Sequence, residues 1–524
     1  NVLTSQVSRV EILKGNQSSI YGSGAIGGTI HITTKKGEPG FKKDVSYTTG
    51  SYGTHNLSAS LSGGNDKSNY YFGLQRFQTD GMSAMTHNDE KDRYRNNGLV
   101  ASYGNKFTDT IELQSNVRAS ETYLQYDAAC VSNLFGCSPS YDHAEEADAV
   151  EASYNISLIH KPLEKLTNKF TYANTYIKRI YLQAANSKNT QQDNYYGDRY
   201  ALIYSGNYNF NLDNSIVFGI EKENDHMGYN KDMTGRIDNH AYVTSSYFDY
   251  QSRLTNNIYA TLGSRFDEHK HAGNEDSHRV TLAYLFDEKS TKLKSSYGTG
   301  FRFPSLYELN WLNSFNSSMK AETSEGFDVG IEKSFLNLGL SLDASYFNMR
   351  YEDTLEGWKG PKADWSTHNF PGVVKSHGLE LVSKWKKSDT LNFDLNYTYT
   401  STYDGAEQDD PDKNSNYHNA NMVRVPKNII NLATNVKIPG YKNLDLTINT
   451  KWSDSARDYG NGNRTWKDET LDDYLVNDLS IKYNLWNTYN LFFDINNILD
   501  EKYETTRDYS QMDRSFNFGI RRVY

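Results

Sequence analysis

Polar and apolar residues alternate along most of this chain. Leu391, Phe393, Leu395, Tyr397 and Tyr399 fall on one face of their segment, and Asn392, Asp394, Asn396, Thr398 and Thr400 on the other. Leu444, Leu446 and Ile448 repeat the pattern against Asp445, Thr447 and Asn449, and Trp452 continues the apolar face. Leu491, Phe493 and Ile495 oppose Asp494 and Asn496. A period of two marks a half-buried β-strand; helical spacing is nowhere sustained. Connections of two sizes alternate between the strands. Ser334 to Asn337 and Leu485 to Thr488 are turn-sized, whereas Cys130 to Glu146, Gly300 to Glu322, Thr354 to Pro371, Tyr403 to Met422 and Ser453 to Thr470 are long and polar. An up-and-down barrel with short turns at one rim and long loops at the other has this rhythm. A propeller would add a repeat of roughly 40 residues, and none is present.

The first residues break the pattern. Val7 to Gly15 and Ser18 to Thr33 place two short β-type runs around a loop holding Gly15, Gly22, Gly24, Gly27 and Gly28. Such a piece is too small for a core of its own and must lean on something larger. Residues 1–36 therefore form one unit, 37–42 a Gly- and Pro-marked linker, and 43–524 the strand-rich remainder. Residues 41–524 accommodate ~22 strands, with roughly 22 residues for each strand and its connection. A barrel of ~22 strands has a lumen wide enough to need a plug.

Composition decides which way the barrel faces. Tyrosine is abundant, 41 residues against 9 prolines, and tyrosine suits both strands and the water–lipid boundary. Mean hydropathy is −0.76, and no run approaches the ~18 apolar residues of a membrane helix. A membrane barrel remains, with its apolar face to lipid and its polar face to the lumen. The net charge of −10 disfavours nucleic acid as a partner. The chain opens at Asn1 without the charged and apolar regions of a signal peptide. It starts inside a structured run, so a longer parent chain is expected.

These residues resemble a known family, the TonB-dependent outer-membrane receptors of Gram-negative bacteria. Arg9-Val10-Glu11-Ile12-Leu13-Lys14-Gly15 through Ser18-Ser19-Ile20-Tyr21-Gly22-Ser23-Gly24-Ala25-Ile26-Gly27-Gly28 is similar to the end of that family's plug domain, with Asn16 where many members have proline. Tyr297-Gly298 with Phe301-Arg302-Phe303-Pro304-Ser305-Leu306-Tyr307-Glu308-Leu309 resembles its mid-barrel motif. Asn496-Asn497-Ile498-Leu499-Asp500-Glu501-Lys502-Tyr503 resembles the segment before its last strand. The chain ends on alternating apolar residues and an aromatic, Tyr524, with Arg522 interrupting the apolar face. Asn369-Phe370, Lys375-Ser376-His377-Gly378-Leu379-Glu380-Leu381 and Tyr503-Glu504-Thr505 are most like the cobalamin (vitamin B12) receptors, although Asp513-Arg514 replaces the Gly-Arg common there.

The resemblance implies an all-β, 22-stranded transmembrane antiparallel barrel in the outer membrane, carrying the C-terminal remnant of a plug. It implies a monomeric, lipid-embedded, non-enzymatic receptor. Such a receptor binds a nutrient complex at the cell surface and imports it with energy from TonB and its inner-membrane complex. Cobalamin is the first expected ligand and a ferric siderophore the alternative. A passive porin would have fewer strands, ~16–18, and no plug remnant.

Site expectations follow. Arg9, Glu11, Gly15, Tyr21, Gly22, Gly24, Gly27 and Gly28 are expected to pack the plug against the barrel. Arg9, Glu11 and Lys14 either pair with lumen charges or stay solvated. No Gly-Lys-Ser/Thr follows the glycines, which removes a phosphate loop. Tyr126, Tyr195, Tyr196, Trp311 and Trp358 are ligand-wall candidates, with Tyr123, Phe135, Tyr141 and Trp365 as further loop aromatics; each serves a ligand or the interface girdle. No cofactor is required. The run Asp193-Asn194-Tyr195-Tyr196-Gly197-Asp198 reads as an outer loop in which Asp193 and Asp198 either bind calcium or stay solvated. Cys130 and Cys137 lack the four ligands of a zinc ribbon and read as a short-range disulfide or as two free thiols.

Overall fold

The computed structural model describes residues 4–86, 90–127, 145–185, 189–231, 235–310, 318–357, 367–370, 372–405, 422–441, 443–459, 468–486 and 488–524. Among them, 22 antiparallel strands close into one barrel. Neighbouring strands pair in chain order. Closure comes from Gly40–Gly50 against Ser515–Val523, in register from Asp44↔Val523 to Gly50↔Asn517. The first barrel strand thus begins at Gly40, three residues before the expected boundary.

Alternation sets two faces, as the composition required. In Gly273–Phe286 the outward Leu282 is 46% exposed while the inward Ser277 is fully buried. Outside, Leu202, Ile220, Leu262, Val280 and Val329 form the lipid band; inside, Ser120, Thr122, Ser245 and Asp249 are buried. The rims differ. Phe107–Thr110, Phe210–Asp213, Leu254–Asn257 and Asp287–Ser290 are tight, hydrogen-bonded turns at one rim. The long connections lie at the other, and among the described residues three carry small hairpins, Thr354–Gly357 with Thr367–Phe370, Ala456–Tyr459 with Asp468–Leu471 and Glu504–Thr506 with Tyr509–Ser510. Short turns face the periplasm in outer-membrane barrels.

The wall is tallest on one side. Glu145–Leu163, Leu166–Ala185, Asn189–Asn209, Asn214–Lys231 and Gly235–Arg253 hold 18 to 21 residues, about twice the ~9–11 that span a bilayer. The wall therefore continues above the lipid. This corrects the expected loop at Asp193 to Asp198, which is paired strand on both sides.

A hairpin, Val7–Lys14 with Gly28–Thr34, and a short helix, Ser18–Tyr21, sit in the lumen as a wedge. Asn16 Nδ2 donates to Gly298 O (2.6 Å), and Ser324 Oγ donates to Asn16 Oδ1 (2.8 Å). Gly24 N–H donates to Phe301 O (3.0 Å), and Phe303 N–H to Ser23 Oγ (3.0 Å). The wall glycines Gly263 and Gly300 let the wedge approach closely, because a Cβ there would meet Ser19 Oγ at 3.3 Å and Asn16 Oδ1 at 3.0 Å. Arg265 Nη1 reaches Ile20 O (3.4 Å) while Glu221 and Asp267 hold the guanidinium.

Gly22 has φ +73°, and a Cβ there would lie 2.9 Å from Arg265 Nη2; at Gly28, φ +149°, it would lie 2.7 Å from Leu13 O. Gly15 and Gly24 occupy the turns, Gly27 lies beside the Tyr351 hydroxyl, and Tyr21 is exposed. Of the three wedge charges only Lys14 meets the wall, at Glu380 (2.6 Å). Arg9 and Glu11 pair with each other instead (3.0 Å), because residues two apart on a strand share a face.

Two outcomes are expected. Val280→Arg, on the lipid face, should destabilise the barrel by ~2–4 kcal/mol in vesicle unfolding, and the lumen-facing Thr281→Arg by far less. Gly22→Val should strain the wedge by ~1–3 kcal/mol and raise single-channel conductance in planar bilayers; unchanged conductance would mean that the wedge does not depend on this seat.

Candidate functional site

The tall side of the wall carries a row of tyrosines on its lumen face. Residues 193, 195, 197 and 199 point inward, as the burial of Asp193 and the outward exposure of Tyr200 and Leu202 require. Tyr195 stacks on Tyr229 of the adjacent strand, with ring centroids 4.5 Å apart and planes 25° apart. On its other side it meets Tyr181 edge-on at 5.6 Å. Tyr181 in turn meets Tyr126 at 6.3 Å, across the small, buried Ala147.

A fifth ring, Tyr307, comes 6.1 Å from Tyr195, and the mid-barrel motif explains how. Ser305 and Glu308 cap the helix Leu306–Leu309 reciprocally: Ser305 N–H donates to Glu308 Oε2 (2.7 Å), and Glu308 N–H to Ser305 Oγ (3.2 Å). Arg302 clamps Glu308 and Glu322. Leu306 and Leu309 bury themselves with Ala241 and Met319. The helix is therefore fixed from three directions, and Tyr307 projects from it.

The row lies above the lipid band, and burial favours the protonated form of the Tyr126, Tyr195, Tyr229 and Tyr307 hydroxyls. Burial raises the Tyr126, Tyr195 and Tyr307 phenols well above the ordinary value. The Glu145 carboxylate adds to the effect at Tyr126, Tyr229 at Tyr195, and Tyr195 at Tyr307, and Asp193 raises all three. The row offers aromatic faces and neutral O–H groups. It does not offer phenolate ligands for a metal.

Of the expected wall residues, Tyr126 and Tyr195 are thus brought together. Tyr196 is not. It points outward, where its hydroxyl donates to Asp238 (3.2 Å). Asp198 also points outward and accepts from Asn174 Nδ2 (2.8 Å). Asp193 and Asp198, five residues apart on one strand, lie on opposite faces and cannot share an ion. Trp311, Trp358, Cys130 and Cys137 lie outside the described residues, as do Phe135, Tyr141 and Trp365.

A different acidic group does converge. Ligand oxygens of Glu90, Asp92 and Asp127 lie within 4.8 Å of one another. Asp92 Oδ2 accepts from Ala84 N–H (2.8 Å), and Asp127 Oδ2 from Met85 N–H (3.1 Å). Asp127 is 7% exposed, and its buried Oδ1 has no hydrogen-bond partner. Three carboxylates and an orphaned buried oxygen fit a hard cation. The segment that they fix is itself stitched to another outer connection: Thr86 N–H donates to Asp508 O (3.0 Å), and Ser510 N–H to Ala84 O (2.8 Å).

Beside this group lies a cavity of about 880 Å³, lined by seven carboxylates, Glu90 and Glu504 among them, against three cationic side chains. Asp458, fully buried, ties two more connections together by accepting from Arg424 Nε (2.9 Å) and Arg507 N–H (2.8 Å). Sequence reasoning missed Tyr181, Tyr229 and the acidic group. Strand register unites them, and no local spacing shows it.

Comparison with known proteins agrees with this architecture. Residues 36–498 match the family described as TonB dependent receptor-like, beta-barrel. The vitamin B12 transporter BtuB of Vibrio cholerae is 22% identical, over 98% of this chain and 79% of its own length. The iron-regulated outer membrane virulence protein of Vibrio cholerae is 21% identical, over 95% of this chain and 76% of its own. The crystal structure of the ferripyoverdine receptor of Pseudomonas aeruginosa superposes with a TM-score of 0.80 at 14% identity, covering 99% of this chain and 76% of that one. At that identity the likeness is one of fold. The chain belongs to the TonB-dependent receptors, β-barrel transporters of the Gram-negative outer membrane.

Proposed function

We propose that this receptor binds cobalamin at its outer rim and imports it to the periplasm, driven by TonB, with the lumen wedge as part of the plug that must move. The observation that carries the reading is the tyrosine row with Tyr307. Its rings and neutral hydroxyls line a tall, rigid wall, which suits a large, flat ligand held by stacking and a few polar contacts. The surrounding charge supports the same choice. Asp193, Glu145 and the acidic cavity make the outer rim electronegative, which disfavours an anionic iron chelate. The names of several relatives support it too. A ferric siderophore is the second reading, favoured by the iron-regulated relative and by the neighbours in fold.

Glu90, Asp92 and Asp127 would hold a divalent cation, and an all-oxygen donor set suits Ca²⁺. The ion would offset most of the charge of the three carboxylates and join the segment at Ala84 and Met85 to the strand end at Asp127. These residues would thereby fix one side of the rim for the ligand.

Titrating the intact receptor with cobalamin and a panel of ferric siderophores tests the ligand. Cobalamin should bind below micromolar concentration. Tyr195→Ala should weaken it by ~1–3 kcal/mol, roughly 10- to 100-fold, and Tyr196→Ala should leave it unchanged. A siderophore that binds where cobalamin does not would overturn the choice. For the metal, chelation with EDTA should weaken cobalamin binding by ~10-fold or more, and Asp92→Asn with Asp127→Asn should reproduce the loss. Asp198→Asn should not. Calcium dependence surviving the double variant would remove this site.

A further inference from the structure

Arg522 interrupts the apolar face of the last strand, and neither ligand nor wedge accounts for it. The strand Ser515–Val523 turns Phe516, Phe518 and Ile520 to lipid, and Arg522 follows in the same phase. It pairs directly with Tyr489 on one side and Val45 on the other. Tyr489 opens its strand immediately after the short turn that carries Trp486. Trp486 is 76% exposed. Arg522 therefore stands level with the interfacial aromatics of the periplasmic rim, where lipid headgroups lie.

Its surroundings point to an anion. The guanidinium lies 5.0 Å from the Tyr489 ring centroid and 3.8 Å from that of Tyr524. These contacts hold the group in place but accept none of its N–H bonds. Arg522 Nε is buried without a hydrogen-bond partner. Lys43 is the next outward residue at the seam: its backbone exchanges hydrogen bonds with Tyr524. The Lys43 side chain is exposed, with Nζ 5.3 Å from the Phe41 centroid. Among the described residues neither cation makes an ion pair. The nearby Arg521–Asp44 pair lies on the lumen face, one residue out of phase. At the headgroup level two such cations are tolerated, and the counter-charge within reach there is that of the lipid phosphates.

We propose that Arg522 and Lys43 form a binding site for the phosphate of a glycerophospholipid in the inner leaflet. The guanidinium takes two phosphate oxygens in its planar fork, Lys43 adds a point charge, and Tyr489, Tyr524 and Phe41 flank the headgroup. The acyl chains continue up the apolar wall past Ile520 and Leu491.

Native mass spectrometry of the intact receptor, delipidated and then titrated with phosphatidylglycerol, tests this. One adduct should form on the native protein. It should weaken ~10-fold or more in Arg522→Gln with Lys43→Gln, the effect of losing charge-assisted bonds, and Arg522→Lys should recover part of it. Diacylglycerol, which lacks the phosphate, should give no adduct. Inorganic phosphate in large excess should not displace the lipid; displacement would reduce the site to an anion site that is not lipid-specific. Heat-modifiable mobility in gels checks that the variants are folded. Equal adducts in folded native and double-variant protein would overturn the proposal. So would a double variant that fails only in membrane assembly and binds lipid normally once refolded, since Arg522 would then serve assembly.

Discussion

A backbone N–H or C=O facing hydrocarbon has no water to turn to, so every one must find a partner within the protein. The closed sheet answers that constraint, and the rest of the molecule follows from it. Closing 22 strands leaves no edge in the lipid but opens a wide polar lumen, and a receptor must then obstruct it. The wedge does so with polar contacts rather than a packed apolar core. Asn16, Ser23, Gly24 and the buried Ser18 bond to backbone or hydroxyl groups of the wall. Bonds of this kind contribute only ~0.5–1.5 kcal/mol each. A seat built from them holds firmly in sum, yet it can be released in steps.

The same sheet builds the tyrosine wall proposed to hold the ligand. Carrying five strands beyond the bilayer places Tyr181, Tyr195 and Tyr229 on paired backbone rather than on loops. Their rings need little further ordering when a ligand arrives, which reduces the entropy cost of binding. Tyr307 arrives by another route, on a single helical turn that could not hold its shape alone. The capping box, the Arg302 clamp and the small apolar cluster around Leu309 supply what length does not.

Much of this was legible in the sequence, for a physical reason. Within the bilayer one face meets lipid, so Leu391 to Thr400 must alternate, and period two reveals both strand and orientation. The wedge was legible because close approach restricts residue choice, as at Gly22; the wall glycines that receive it, Gly263 and Gly300, carry no local signal and show their role only once the strands are paired. Above the bilayer both faces meet water, alternation is no longer required, and Asp193 to Asp198 reads as loop although it is strand. The acidic group was hidden differently. Asp127 lies far along the chain from Glu90 and Asp92, and only the pairing of Tyr94–Lys106 with Ile111–Tyr126 brings the segments together.

The seam has a bearing on how the molecule comes to exist. Most pairings join segments adjacent in the chain and can form as local hairpins. The contact between Asp44 and Arg521 instead spans 477 positions. Closing a loop of that length carries an entropic cost that grows only slowly, by ~0.6 kcal/mol per doubling, but it cannot begin until the last strand is available. Non-local pairings of this kind delay folding. Meanwhile the first and last strands carry unpaired edges, which are sticky toward other chains. The wedge, bonded to wall residues about 280 to 310 positions away, has to enter before the ring shuts or thread it afterwards. The order of synthesis, with the wedge first and the seam last, favours a cylinder that closes around its own stopper.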